Sequence, residues 1–362
     1  MKVISVVGAR PQFVKLAPVA AAFARTAHEH VIIHTGQHYD ARMSEVFFAD
    51  LAIPAPDVHL GIGSGTHGVQ TGAMLAALDP VLTEVSADWV LVYGDTNSTV
   101  AAALAAVKQQ QRVAHLEAGL RSFNRAMPEE HNRVLTDHAA DLLLAPTELA
   151  MGHLAREGLA ERSLLVGDVM TDVCLRVRAS VAELPLPDEL PAAVAESSVG
   201  FVVATVHRAE NTDDPVRLAA VLDALAGLDV PVALLAHPRL EARCQAYGLV
   251  LRRGALHPVA PLAYPDMVRA LLGARGVVTD SGGLQKEAYL LGTPCTTLRT
   301  ETEWVETLAG GWNVLDPGLT KVKELADRDK PASDRGTPYG DGHAAERVVD
   351  VLARAEERLA PG

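Results

Sequence analysis

Acidic side chains stand at several points of this sequence where they could act together on one ligand. Asp95 and Glu117 each come directly after a predicted strand, and Glu129 and Glu130 stand in the first turn of a predicted helix. Carboxylates that converge in a cleft raise each other's pKa and become usable as acid and base near neutral pH. Residues 129 and 130 are about 100° apart around a helix, so only one of them can face such a cleft squarely. The alternative for each acid is a helix cap or a partner of the helix dipole.

A glycine turn in the second half of the chain predicts an anion site. Ser281-Gly282-Gly283 lies between an apolar strand and a helix that runs to about Leu291, with Gly292 as its stop. A helix N-terminus without Cβ atoms lets backbone N–H groups and the helix dipole meet a negative charge. Glu287, four residues beyond Gly283, can accept hydrogen bonds from sugar hydroxyls on the same helix face. The turn alone is common, but the pair predicts a nucleoside diphosphate, with its phosphates on the turn and its ribose on Glu287.

Positive side chains occur where such a ligand would need them. Arg10 and Lys15 flank a turn after the first predicted strand, and His207 and Arg208 close the first strand of the second half. Arginine suits bidentate phosphate contact and lysine a point-charge contact. The alternatives are a solvated pair at a helix start and a structural histidine. His237, at the next strand end, is a weaker candidate.

The elements that must position these residues follow an alternating pattern of strands and Ala-rich helices. Short apolar runs predict strands at Val3–Val7, Val31–His34, Trp89–Tyr93, Arg112–His115, Leu142–Ala145, Gly200–Val206, Val232–Ala236, Leu249–Arg252 and Val277–Asp280. We expect two doubly wound, Rossmann-like α/β domains, 1–170 and 171–344, with the ligand in the cleft between them, beyond the carboxyl ends of the strands. Val181–Ser198 is predicted to be a joint or an irregular insertion. A charged helix is predicted at Ala344–Leu359 and is expected to pack back on either domain. For the segment 345–362 the first domain is the expected partner.

Composition narrows the class of protein. The 362 residues carry a net charge of −13, which argues against a nucleic-acid partner or an anionic membrane. Hydrophobic residues make up 49% and aromatics only 4%, so Ala, Val and Leu must build the core. The 3 cysteines form no Cys-x-x-Cys pair, which fits a reducing compartment, and no signal peptide or membrane span is visible. We expect a cytoplasmic protein with no cofactor, because no metal-ligand constellation, phosphate-binding P-loop or nucleophile elbow occurs.

The sequence resembles the non-hydrolysing UDP-N-acetylglucosamine 2-epimerases from residue 1 to about Gly342. The resemblance rests on separated motifs in the family's order: GARPQFVK, TGQH, YGDTNST, HLEAGLRS, MPEEHNRVLTDH, HRAEN, TDSGGLQKEA and PYGDG. It implies a GT-B fold, a homodimer and inversion at C2 of a UDP-linked sugar, by elimination of UDP to a glycal and re-addition. UDP-N-acetylglucosamine would thereby become UDP-N-acetylmannosamine.

The resemblance also implies roles for individual residues. The carboxylates near the sugar ring would be Asp95, Glu117 and Glu129, with Glu129 preferred to Glu130. His207 would assist the departure of UDP and would bind the UDP-sugar together with Arg10, Lys15, Arg208, Ser281, Gly282, Gly283 and Glu287. The order of acid and base among the carboxylates stays open.

Some positions depart from the family's pattern. Gln12 stands where many members have Glu, and Trp304 replaces an Arg in the usual Thr-Glu-Arg-Pro-Glu run. Both variants favour a branch that includes epimerases of UDP-2,3-diacetamido-uronates, and UDP-glucose is a further possible substrate. A run that binds an activating second UDP-sugar in some members is Gln37-His38-Tyr39-Asp40 here, so we expect no obligatory activation.

Other functions remain open at this point. A GT-B glycosyltransferase would share the Ser-Gly-Gly turn and Glu287 but would not need Asp95, Glu117 and Glu129 in the first half. A hydrolysing epimerase would release a free sugar. A nucleotide-sugar sensor without catalysis could lose all the carboxylates.

Overall fold

Two compact units make up the chain in the computed structural model, which describes residues 1–37 and 53–359. The first unit comprises Met1–Val173 and Thr337–Gly362, and the second comprises Cys174–Gly336. Each unit contains one sheet of parallel strands. Fully buried parallel strands need near-continuous apolar sequence, which the Val- and Leu-rich runs of this chain supply.

The sheet of the first unit has seven strands in the order β3-β2-β1-β4-β5-β6-β7. Its strands are β1 (Lys2–Val7), β2 (Glu29–His34), β3 (Val58–His59), β4 (Trp89–Tyr93), β5 (Val113–Leu116), β6 (Leu142–Ala145) and β7 (Ser163–Leu165). The strand order reverses between β1 and β4, so the loops after these two strands diverge to opposite faces of the sheet. That is the point where doubly wound sheets bind their ligands.

Helices cover both faces of this sheet. They are α1 (Arg10–Phe23), α2 (His67–Val85), α3 (Asn97–Lys108), α4 (Pro128–Ala139), α5 (Glu148–Arg156) and, at the end of the chain, α14 (Ala344–Leu359). Helix α6 (Val169–Val181) begins in this unit and continues into the second. Val3 and Val7 of β1 belong to the core that contains α1 and α14, whereas Ile4 and Val6 face the opposite core. The Asp172 carboxylate accepts the first amides of α14, at 3.0 Å from Ala344 N and 2.7 Å from Ala345 N.

The sheet of the second unit has six strands in the order β10-β9-β8-β11-β12-β13. Its strands are β8 (Val202–Thr205), β9 (Val232–Leu235), β10 (Leu256–Val259), β11 (Gly276–Thr279), β12 (Cys295–Thr297) and β13 (Asn313–Leu315). Its helices are α7 (Ala192–Ala195), α8 (Ala209–Thr212), α9 (Pro215–Ala226), α10 (Pro238–Tyr247), α11 (Tyr264–Gly273), α12 (Gly282–Leu291) and α13 (Val322–Ala326). Short 3₁₀ segments lie at Ala160–Arg162 in the first unit and Val305–Gly311 in the second. None of the helices described is long and apolar enough to cross a membrane.

The predicted fold class is confirmed, and so is the helix Ala344–Leu359. The strand predicted at Leu249–Arg252 is wrong, because the strand lies at Leu256–Val259. Gly248 ends α10 in a left-handed conformation (φ 67°), and Leu249 N donates to Cys244 O at 2.9 Å. The apolar run is thus used to close the helix, as C-terminal glycine caps commonly do.

Candidate active site

Asp95, Glu117 and Lys15 converge at the carboxyl end of the first sheet. Asp95 follows β4, Glu117 follows β5, and the Lys15 ammonium of α1 forms an ion pair with Glu117. A Cβ atom built on Gly94 would lie 3.1 Å from both Glu117 Oε2 and Lys15 Nζ. Burial disfavours the charged lysine, but Glu117 and then Asp95 outweigh burial and raise the pKa of Lys15. The structure therefore places these three predicted residues close together at the ends of neighbouring strands.

The backbone at Glu117 is in an uncommon conformation. Its φ of 74° lies in the left-handed region, which residues with a Cβ atom rarely adopt. The amide of Glu117 donates to Leu144 O at 3.1 Å, and this bond to the neighbouring strand helps to hold the conformation. Backbone strain of this kind persists where the surrounding structure over-determines it, and it is frequent at functional sites.

The two acids at the start of α4 have different surroundings. Glu130 is buried, and its oxygens accept from Ser122 N (2.9 Å), Ser122 Oγ (2.8 Å) and Phe123 N (3.0 Å). These bonds hold the preceding loop, and with Arg133 they overcome the effect of burial and lower the pKa of Glu130. Glu129 is half-buried, and its side chain makes no hydrogen bond or ion pair with any residue that the structure describes. The preference for Glu129 over Glu130 stays a prediction. It is supported by the hydrogen bonds of Glu130 to Ser122 and Phe123, which occupy the Glu130 carboxylate.

Arg133 also lies at this site, although it was not among the residues predicted from the sequence. Its guanidinium forms ion pairs with Asp95 (2.6 Å) and Glu130 (3.0 Å). Burial opposes the charge, but these carboxylates raise the pKa of Arg133. Asp95 does not cap the next helix, because the Thr96 side chain accepts from Thr99 N and caps α3. The only signal for Arg133 in the sequence was its place one helical turn beyond Glu129 and Glu130.

A buried ionic network lies behind the two strand-end acids. His115 and Asp137 have fully buried side chains, and His115 Nδ1 lies 2.6 Å from Asp137 Oδ1. His115 Nε2 lies 2.8 Å from the carbonyl oxygen of Gly94. A carbonyl oxygen can only accept, and so can an ionised carboxylate. Although burial opposes ionisation, His115 and Arg121 lower the pKa of Asp137. Both ring nitrogens of His115 therefore lie within hydrogen-bond distance of an oxygen that accepts.

The same carboxylate reaches the other side of the site. Asp137 Oδ2 accepts from Gly119 N at 3.1 Å and pairs with Arg121 at 2.7 Å. The network thus ties together the loop before Asp95, the loop after Glu117 and the helix α4. These are the segments that carry the predicted carboxylates.

Gln12 and Arg10 lie in the first turn of α1, in the first unit. Gln12 is buried, and its Oε1 accepts from Gly8 N (2.8 Å) and Ala9 N (3.0 Å), while its Nε2 donates to Tyr93 O (2.9 Å). A glutamate could not donate that last bond when ionised, so the amide joins the turn after β1 to the end of β4. Arg10 is the first residue of α1 and is exposed.

In the second unit, the Ser-Gly-Gly turn forms a helix N-terminus as predicted. Ser281 is the N-cap of α12, and its Oγ accepts from Leu284 N at 3.4 Å. Gly282 and Gly283 are the first two residues of the helix, and Gly292 ends it with a φ of 74°. The first amides of a helix have no carbonyl partner within it, so they can bind an anion.

His207 and Arg208 are held at this end of the sheet by Asp280, a fully buried residue that the sequence argument did not assign. Asp280 Oδ2 accepts from the backbone N–H groups of His207 (3.1 Å) and Arg208 (3.0 Å) and from Asn211 Nδ2 (3.1 Å). His207 Nδ1 lies 3.3 Å from Asp280 Oδ1. Burial, assisted by His237 and Arg208 and opposed by Asp280, lowers the pKa of His207. His237 itself caps α10, since its Nδ1 accepts from Arg239 N at 3.1 Å.

Glu287 lies in α12 with Lys286 and Tyr264 nearby. Burial raises the pKa of Glu287 to about 7, and Lys286 and Tyr264 oppose this shift only in part. The carboxyl group of Glu287 therefore changes charge near neutral pH. Its ionised form is the better acceptor of hydrogen bonds. No group of His, Cys, Asp or Glu side chains in residues 1–37 and 53–359 is arranged to hold a metal ion.

Comparison with known proteins identifies the family. The profile of a family described as UDP-N-acetylglucosamine 2-epimerase matches residues 21–353. The chain belongs to this family. A relative from Methanococcus maripaludis, described as a UDP-N-acetylglucosamine 2-epimerase homolog, is 44% identical over 97% of this chain and 99% of its own length.

Other members of the epimerase family are similarly close. A Pseudomonas aeruginosa relative, described as a UDP-2,3-diacetamido-2,3-dideoxy-D-glucuronate 2-epimerase, is 44% identical over 98% of this chain and 100% of its own length. The crystal structure of Methanocaldococcus jannaschii UDP-GlcNAc 2-epimerase in complex with UDP-GlcNAc and UDP has a TM-score of 0.81 at 37% identity. It covers 98% of this chain and 100% of that chain. The GT-B fold expected from the resemblance is therefore confirmed.

The buried network predicts a large effect of one isosteric change. Asp137→Asn removes the negative charge that pairs with the buried Arg121 guanidinium, and breaking a buried ion pair in this way costs about 3–5 kcal/mol. Urea unfolding followed by circular dichroism measures the loss. Glu157→Gln is the matched control, because Glu157 also pairs with Arg121 but its side chain is 27% exposed. A loss for Asp137→Asn no greater than that of the control would contradict the assigned charges.

The raised pKa of Glu287 predicts a pH-dependent effect on stability. The folded state holds a proton up to about pH 7, whereas the unfolded chain releases it near 4.5. The resulting stabilisation is present below the unfolded value and is lost as pH rises through the folded value. Glu287→Gln, which stays neutral, should therefore raise the unfolding midpoint relative to the parent at about pH 8.5 but not at about pH 4. Thermal unfolding at both pH values checks this, and an equal difference at both would refute the assignment.

Proposed function

We propose that this protein inverts C2 of UDP-N-acetylglucosamine without hydrolysing it, and so forms UDP-N-acetylmannosamine. The observation that carries the proposal is the convergence of Asp95 and Glu117 on Lys15 at the carboxyl end of the first sheet. A transfer of the sugar to an acceptor would need no such group of acids. Membership in the epimerase family supports the same reaction.

The chemistry explains why several carboxylates are needed. The C2 proton of the sugar has no adjacent carbonyl group to acidify it, so direct removal is very unfavourable. When the C1–O bond breaks, UDP leaves with the electron pair, and the positive charge on the ring makes the C2 proton removable. A carboxylate takes that proton and a glycal forms. A proton then adds to the opposite face of C2, and UDP re-adds at C1.

In this proposal the acids of the first unit act on the sugar ring. Asp95, Glu117 and Glu129 stabilise the ring cation and exchange the C2 proton. The Lys15 ammonium offsets the negative charge of Asp95 and Glu117, as its raised pKa indicates. Arg133 fixes the direction of the Asp95 carboxylate through their 2.6 Å ion pair.

The proposed UDP contacts use backbone amides and charged side chains. The diphosphate binds the amides of Ser281-Gly282-Gly283 with Arg10, Lys15 and Arg208, and the ribose hydroxyls donate to Glu287. The lowered pKa of His207 keeps its ring neutral at pH 7, so it can donate an N–H to UDP as negative charge grows on the leaving group. Retention of UDP and exclusion of water would then favour re-addition over hydrolysis.

A second candidate substrate is a UDP-2,3-diacetamido-uronate. The Pseudomonas aeruginosa relative named for that substrate is 44% identical to this chain, the same value as the Methanococcus maripaludis relative. The Gln12 and Trp304 variants favour this branch as well. The prediction that a second UDP-sugar is not required for activation rests partly on residues 38–40. These residues lie outside the part of the chain that the structure describes.

The proposal also includes a homodimer in the cytoplasm. The dimer comes from the family resemblance. The reducing compartment is supported by Cys174, Cys244 and Cys295, which are buried and not joined by disulfides.

Proton NMR of UDP-N-acetylglucosamine with the purified protein in deuterium oxide tests the reaction. We expect deuterium at C2 and a new UDP-N-acetylmannosamine signal. Asp95→Asn should slow this exchange by about a hundredfold or more, because it removes a group that handles the proton. Glu84→Gln on α2, an exposed acid of the same unit, is the control and should leave the exchange rate unchanged.

The other outcomes separate the competing functions. Free N-acetylmannosamine and UDP as first products would replace this proposal with a hydrolysing enzyme. An inert spectrum, followed by C2 exchange in a UDP-2,3-diacetamido-uronate, would keep the reaction and change the substrate. Absence of exchange in both sugars, with transfer to an added acceptor, would establish a glycosyltransferase instead.

A further inference from the structure

Glu303 places a carboxylate beside the N-terminus of α12. A Cβ atom built on Gly282 would lie 3.6 Å from Glu303 Oε2 and 3.7 Å from its Oε1. The indole nitrogen of Trp304 would lie 3.8 Å from the same point. A helix N-terminus attracts negative charge, so the position of this side chain matches that of a bound anion.

Two arginines hold this carboxylate. Arg299 contacts both of its oxygens, with Nη1 at 2.7 Å from Oε2 and Nη2 at 3.2 Å from Oε1. Arg208 Nη2 lies 3.4 Å from Oε1. Although burial opposes ionisation, Arg299 and Arg208 together lower the pKa of Glu303. The group is therefore a carboxylate anion in a pocket of donors that would also suit a phosphate.

We propose that Glu303 is an internal competitor of the substrate's diphosphate, which must take Arg208 and Arg299 from it when it binds. This inference rests on the proposed function, since it assumes that UDP binds at the Ser281-Gly282-Gly283 turn. Two anions this close to each other repel, so the Glu303 side chain moves aside or is left partly unpaired in the complex. Either change weakens the binding of the diphosphate.

The competition has a use in the reaction. The enzyme must hold UDP while the glycal is re-protonated, but it must also release the finished UDP-sugar. A carboxylate that returns to Arg208 and Arg299 assists that release. The opposite role for Glu303, in which it only orients the two arginines for the phosphates, predicts the opposite effect of its removal.

Calorimetric titration of the full chain with UDP and with uridine distinguishes the two roles. Glu303→Gln keeps the size of the side chain and removes its charge. We expect UDP to bind about three- to tenfold more tightly to this variant, and uridine, which has no phosphate, to bind as it does to the parent. The gain in UDP affinity should shrink as salt is raised, because Glu303 has a side chain that is 38% exposed.

Glu301→Gln is the matched control, since Glu301 is an exposed acid of the same loop and forms no ion pair with a described residue. UDP binding to Glu303→Gln that is equal to or weaker than binding to the parent, with uridine binding retained, would overturn the competition. The same holds for a tightening that Glu301→Gln reproduces. A parent protein that binds neither UDP nor uridine would instead refute the proposed function.

Discussion

The contact between His115 and Asp137 is the interaction on which the proposed catalytic site depends most. Both side chains are fully buried, and their atoms Nδ1 and Oδ1 are 2.6 Å apart. His115 also donates to the carbonyl oxygen of Gly94, and Asp137 accepts from Gly119 N. A fully buried carboxylate tolerates little change in the geometry of its partners, because an unpaired buried charge is very costly. The loops that present Asp95 and Glu117 are therefore fixed from behind by a pair that need not touch the substrate.

The second unit uses the same device with different residues. Asp280 is fully buried, and its carboxylate accepts from the backbone of His207 and Arg208. Its neighbour Ser281 caps α12. One short segment thus fixes both the strand-end pair and the helix N-terminus. In both units a buried acid orders the loops, and partly exposed side chains remain for the ligand.

The sequence predicted the repeating pattern of the fold better than its short or irregular parts. Long apolar runs such as Trp89–Tyr93 and Leu142–Ala145 are strands with the predicted bounds. The run Leu249–Arg252 has a similar composition, but it follows the glycine cap that ends the preceding helix and does not form a strand. Strands β12 and β13 have three residues each, too few for a period to be visible.

The candidate site was predictable in its residue types but not in its supports. Strand ends, glycines and first helical turns are visible in a sequence, and they indicated Asp95, Glu117 and the turn before α12. Arg133 and Asp137 lie within α4, and their partners are distant in the sequence. No local pattern predicts such partners, because they are set by how α4 packs on β5. A charged residue inside a helix is usually solvated, and only the structure distinguishes the exceptions.

The proposed reaction requires that the C1–O bond of the substrate breaks and forms again on the protein. The most direct measurement uses UDP-N-acetylglucosamine with ¹⁸O in the bridge between C1 and the β-phosphorus. Phosphorus NMR of the recovered substrate reports where the label lies. We expect the label to move from the bridge into the non-bridging positions, since the released β-phosphate can rotate before UDP re-adds. A label that stays in the bridge while C2 exchanges its proton would rule out elimination and re-addition of UDP.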